Sequence, residues 1–140
     1  MRRMSWKIGA TIFAIGAALV GTNSLFAQEP KFQRVELQRI DTSTPGWEAV
    51  LMRAEFEPKA QVGKHTHPGN EVAYILEGAL ELSVEGRPTK TLKQGESFSL
   101  AANTVHWAKN VANGPTKVLV TYIVEKGKPI ATPVATASMK

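Results

Sequence analysis

The stretch Gly63–Gly78, GKHTHPGNEVAYILEG, holds two of the chain's three histidines one residue apart, with a glutamate four residues after the second. Residues i and i+2 of a strand point the same way. His65 and His67 are therefore expected to present both rings to one face. Pro68-Gly69-Asn70 reads as a turn, and Glu71 opens the next strand, where a turn of that size returns it beside the rings.

Working outward, the flanking segments read as short strands. ALELSVEG puts Leu80, Leu82 and Val84 on one face and Glu81, Ser83 and Glu85 on the other, the period-2 pattern of a half-buried strand. Gly78-Ala79 and Gly86-Arg87-Pro88 supply turns. Upstream lie FQRVELQRI and WEAVLMRAEFEP; downstream lie SFSL, VHWAKNV and KVLVTYIVE. No amphipathic helical run follows residue 30, and no repeat is present. Many short strands with closely spaced glycine and proline turns predict an all-β sandwich or barrel. The third histidine, His106, shares a strand face with Ala108 and Asn110, and a sheet that closes on itself brings it to the other two.

Three imidazoles and one carboxylate suit a divalent first-row metal with positions left open for water or substrate. The chain has no cysteine, so a disulfide framework and thiolate ligands are both excluded. Its ends read differently from its middle. MRRMSWK, then the uncharged IGATIFAIGAALVG, then TNSLFA has the layout of a secretory signal, expected to be cleaved after Ala27. Arg2, Arg3, Trp6 and Lys7 also resemble a twin-arginine export signal. Loss of residues 1–27 removes three basic residues and no acidic one, so the net charge falls from +5 to +2. No basic cluster is left for nucleic acid or an anionic membrane surface. Residues 28–126 form the expected domain. Residues 127–140, rich in small residues and proline, are expected to be a flexible tail.

The motif spacing resembles the cupin superfamily, in particular its small single-domain bacterial, quercetinase-like members. The first cupin motif is His-x-His, three or four residues, Glu, six residues, Gly; His65, His67, Glu71 and Gly78 match it. The glycine that normally leads the first histidine by six positions is Lys59 here. The second motif is matched by Gly95, His106 and Asn110, with Ala101 in place of its proline and Asn103 in place of its glycine. Asparagine tolerates the left-handed turn that glycine supplies. The resemblance implies a double-stranded β-helix (jelly-roll) barrel. It also implies one divalent transition metal (Fe, Mn, Cu, Ni or Zn) on His65, His67, Glu71 and His106, while Asn110 fixes backbone.

Fold does not decide chemistry, and cupins include oxygenases, lyases, isomerases, decarboxylases and binding modules. The expectation is an exported, periplasmic or secreted metal-dependent oxygenase-type enzyme acting on a small organic molecule, with Glu71 also serving as a base. A lyase, isomerase or decarboxylase and a non-catalytic binding or sensory module are the alternatives. Met52, Ala54, Phe56, Ile75, Phe98, Ala108 and Tyr122 are expected around the cavity, and Arg53 or Lys64 could meet an anionic substrate. FQRVELQRI, outside both motifs, is a candidate edge for a homodimer. No stable membrane association is expected after cleavage.

Overall fold

The computed structural model describes residues 29–135. The expected signal segment lies outside them. The alternating patterns fold as β1 (Phe32–Asp41), β2 (Trp47–Phe56), β3 (Gln61–Thr66), β4 (Gly69–Glu77) and β5 (Ala79–Val84). They continue as β6 (Lys90–Lys93), β7 (Ser97–Leu100), β8 (His106–Asn110), β9 (Thr116–Glu125) and β10 (Thr132–Pro133). Among the described residues there is no helix. Two five-stranded antiparallel sheets face each other, β1-β2-β9-β4-β7 and β10-β3-β8-β5-β6. This is the all-β jelly-roll barrel that the sequence predicts.

Period-2 alternation decides which side chains meet inside. Strand β2 turns Val50, Met52, Ala54 and Phe56 inward, β4 turns Ala73 and Ile75, and β9 turns Val118, Val120, Tyr122 and Val124. Leu80 on β5 and Ala108 on β8 meet them from the second sheet. The same alternation puts Glu71 on the inner face of β4 and His106 on the inner face of β8. Burying a carboxylate or an imidazole among these side chains is costly unless each is partnered.

Two details depart from expectation. The turn expected at Pro68-Gly69-Asn70 is tighter: β3 ends at Thr66 and β4 already begins at Gly69. His67 and Pro68 alone carry the chain from one sheet to the other. Gly69 is needed for close approach, since a Cβ there would lie 1.9 Å from the Ile123 carbonyl oxygen. The flexible tail expected over residues 127–140 is corrected in its first part. Thr132 and Pro133 pair with Thr66 and His65, and the Val134 amide donates to the Lys64 carbonyl. Backbone hydrogen bonds along an open strand edge hold this segment, so its small side chains give no sign of it.

Positive φ angles mark the places where the motif departs from glycine. Lys59 has φ 69° and Asn103 φ 60°, so both occupy the left-handed conformation that glycine adopts without strain. Asn110 is spent on backbone, as expected. Its amide nitrogen donates to the carbonyls of Phe56, Glu57 and Gly114, and its oxygen accepts from the Ala112 amide and the Thr116 hydroxyl.

Candidate metal centre

The four expected ligands come together from both sheets. His65 on β3 is registered directly opposite His106 on β8. His67 sits just beyond the end of β3, and its carbonyl accepts from the Asn103 amide. Glu71 reaches across from β4, where it pairs with Tyr122 of β9 and Leu100 of β7. The ring centroids of His65 and His106 are 4.2 Å apart, and that of His67 lies 4.9 and 5.1 Å from them. All four side chains are buried.

Each imidazole has one nitrogen committed to backbone. Nδ1 of His65 donates to the Gly63 carbonyl at 2.8 Å and Nδ1 of His106 to the Thr104 carbonyl at 2.9 Å. Nδ1 of His67 donates to the Ile130 carbonyl at 2.5 Å. A carbonyl oxygen only accepts, so the proton resides on Nδ1 in all three rings, and in the neutral ring Nε2 carries a lone pair; that of His65 accepts from Arg34 Nη2 at 3.3 Å. The ligating atoms of the three rings lie within 4.8 Å of one another. Such hydrogen bonds on the far side of a ring fix a metal-binding histidine's orientation.

Glu71 Oε2 completes the cluster, 3.2 Å from His106 Nε2 and 3.3 Å from His67 Nε2. Neither contact is aligned as a hydrogen bond, and both His67 Nε2 and Glu71 Oε2 are buried without a partner. A carboxylate oxygen packed against imidazole lone pairs is repulsive unless a cation lies between them. The donor set, three imidazoles and one carboxylate with no thiolate, fits a divalent first-row ion.

The electrostatics follow from the same contacts. Burial works to raise the Glu71 carboxyl, while hydrogen bonding and charge from His106 and His67 outweigh it and bring it down to about 2, an effect these rings exert only when Nε2 carries a proton. Burial pushes His65 down to about 4, against the Gly63 carbonyl and with help from the charges of His106, His67 and Arg34. Burial, reinforced by Glu71, lifts the Tyr122 hydroxyl to about 12. Tyr122, whose ring centroid is 4.5 Å from that of His67, is therefore a neutral hydroxyl at the site.

The cavity beside the cluster measures about 30 Å³ and is lined by His65, Glu71, His106 and Tyr122 with an apolar surround. Of the residues expected there, Ala54, Phe56, Phe98 and Tyr122 line it; Met52, Ile75 and Ala108 are core behind it. Arg53 is paired with Glu55 and lies elsewhere. Lys64 is paired with Glu85 and sits over the Trp107 ring. A larger cavity, about 360 Å³, lies between Leu82, Leu92 and Leu100 and is lined by none of the four expected ligands; Phe98 is the residue common to both. Sequence reasoning missed Arg34, which enters the site from β1. Its signal was the period-2 step from Phe32, whose ring the guanidinium covers at 4.7 Å.

Comparison with known proteins agrees with the fold. Residues 52–122 match the family model of the cupin domain. A germin-like protein of Oryza sativa subsp. japonica is 32% identical over 77 residues, which cover 51% of this chain. That match spans 36% of the plant protein's length. Among solved structures, oxalate oxidase in complex with the substrate analogue glycolate superposes with a TM-score of 0.59 at 21% identity, over 72% of this chain and 54% of that one. The DMSP lyase of Ruegeria pomeroyi DSS-3 superposes with a TM-score of 0.58 at 22% identity, over 70% of this chain and 49% of that one. Identities this low speak for the shared barrel.

Proposed function

Because the chain belongs to the cupin family, we propose that it is a mononuclear metalloenzyme of oxygenase type that acts on a small organic molecule. The observation that carries this reading is the committed tautomer of all three rings. Three Nε2 lone pairs, of which Arg34 engages only that of His65, lie together with an unpartnered carboxylate oxygen. His65, His67 and His106 would hold the ion, with Glu71 as the anionic fourth group. When bound, a divalent transition ion supplies electrophilic and, for iron, manganese, copper or nickel, one-electron chemistry there.

The chain's own residues do the rest. Glu71 stays ionised across the working pH range and would balance the charge of the ion; it would act as a base only towards a hydroxyl or enol that the ion has itself made acidic. Tyr122 stays protonated and can donate to a substrate oxygen. Phe32, Phe56, Val118 and Val120 give the cavity an apolar lining, and low local polarity strengthens both interactions. The protein works outside the cytoplasm, periplasmic or secreted, after loss of residues 1–27, and as a homodimer.

Elemental analysis of native protein, followed by dioxygen uptake across a substrate screen, tests the metal and the reaction type. Glu71→Gln then separates ligand from base. As base, Glu71 is worth about 10²–10⁴ in turnover per bound metal, and the variant keeps most of its metal. Full metal and unchanged turnover in Glu71→Gln would remove the base role. Turnover without dioxygen uptake would favour the lyase or isomerase reading, and a ligand held unchanged would favour a binding module.

A further inference from the structure

Among the described residues, Arg34 is the one cationic side chain that lines the 30 Å³ cavity. Strand β1 carries it there: Phe32 and Arg34 are registered opposite Phe56 and Ala54, both inward-facing on β2. Its Nη2 donates to His65 Nε2 at 3.3 Å. Its Nε is buried with no partner. Nε and Nη2 form one edge of the guanidinium, the edge that grips a carboxylate with two parallel hydrogen bonds.

His65 Nε2 has one lone pair. An ion that takes it leaves the whole Nε/Nη2 edge of Arg34 without a partner. The charges then fail to balance: a divalent ion and a guanidinium face the single carboxylate of Glu71, and the imidazoles are neutral. A buried excess of positive charge requires an anion.

A second chamber shows where the rest of such a molecule would lie. It measures about 270 Å³ and is lined by Arg34, Val62, Gly63, Lys64, His65, Ala131 and Pro133. Arg34, Val62 and His65 also line the inner cavity, so they form the partition between the two. The inner space accepts a carboxylate group and little more. The outer chamber accepts an organic body and is largely apolar apart from Arg34, Lys64 and His65.

We infer that Arg34 is the anion-binding residue of this site: its Nε/Nη2 edge takes the carboxylate of a small organic acid whose body occupies the outer chamber. The inference rests on the metal-centre reading above. Arg34 binds and orients the acid; no bond is made or broken through it.

Zinc, which is redox-inert, allows binding to be read apart from turnover. The zinc-loaded protein is titrated calorimetrically with propanoate and benzoate, and with the neutral propanamide and benzamide. Zinc content is measured on the same samples. The acids should bind about 10- to 100-fold more tightly than their amides, the range expected for hydrogen bonds to a charged group. Arg34→Gln should keep its zinc and lose that preference. Arg34→Lys, which keeps the charge without the two-pronged edge, should lose part of it. A Cβ at Gly63 meets nothing within 4 Å, so Gly63→Leu should fill the chamber and weaken benzoate more than propanoate. Equal affinity for acid and amide in the wild type, or undiminished acid binding in Arg34→Gln or Arg34→Lys, would overturn the assignment of Arg34 and leave the metal centre standing. A wild-type protein that takes up no zinc would overturn both.

Discussion

His65 and Glu71 are the two proposed ligands whose protonation the fold resists most visibly. Burial holds His65 down to about 4, whereas the unfolded chain protonates the same ring near pH 6.5. From pH 6.5 down to about 4 the unfolded state therefore binds a proton that the folded state refuses, and stability falls with pH. Glu71 continues the trend. It protonates near 4.5 in the unfolded chain and only at about 2 in the fold, where His106 and His67 overcome the opposing effect of burial. Both contributions are fully present at neutral pH. The melting temperature of metal-stripped protein should be level from pH 8 to 7 and lower by at least about 5 °C at pH 4, as read by circular dichroism. A melting temperature that climbs as the solution is acidified would contradict this account of the site.

At the scale of elements, β10 is the least conspicuous strand and one of the most consequential. It pairs with the end of β3 next to His65, and the residue just ahead of it, Ile130, supplies the carbonyl that fixes His67. A chain ended after Lys128 keeps all four ligands but loses that partner. Hydrogen bonds of this kind are worth about 10- to 100-fold in metal affinity, and a competition titration against a chelator should show a loss of that size. Wild-type affinity in the shortened chain would mean that His67 is held without help from β10. The same contrast marks what could be read from the sequence. The meeting of His65, His67, Glu71 and His106 was legible because strand period and the turn after His67 act over a few residues. Arg34 was not, because its position depends on the β1–β2 register across about 20 residues and on the bulge at Leu37. Ile130 was not, because a backbone carbonyl has no side-chain signature, and the small residues around it read as tail.

At the scale of the whole molecule, β1 is one of the two edges of the first sheet. Among the described residues it pairs with β2 on one side only, and it exposes Leu37 (46%) and Ile40 (56%). On the outer face of the same sheet Val72 and Tyr74 are about half exposed, with Leu76 and Ile123 beside them. Open edges and apolar faces of this kind invite pairing with another chain. Light scattering should report twice the mass of one mature chain, and Leu37→Glu with Ile40→Glu should halve it. A wild-type protein that stays monomeric at high concentration would remove the homodimer. The barrel itself was legible at this scale, because every inward strand face announces itself by alternation. Its partners were not, because an outward face obeys no such rule.

The three carbonyls that commit the imidazoles are not equally near in the chain. Gly63 and Thr104 each stand two residues before the ring they fix, whereas Ile130 comes 63 residues after His67. A ribosome delivers them in that order. His65 and His106 are oriented as soon as their own strands form, but His67 waits for residues 130–133 to arrive and lie down against β3. The order of the rings is thus set by a segment that carries none of them. A chain that stops short of it would hold His65, His67, Glu71 and His106 and still leave one ring unfixed.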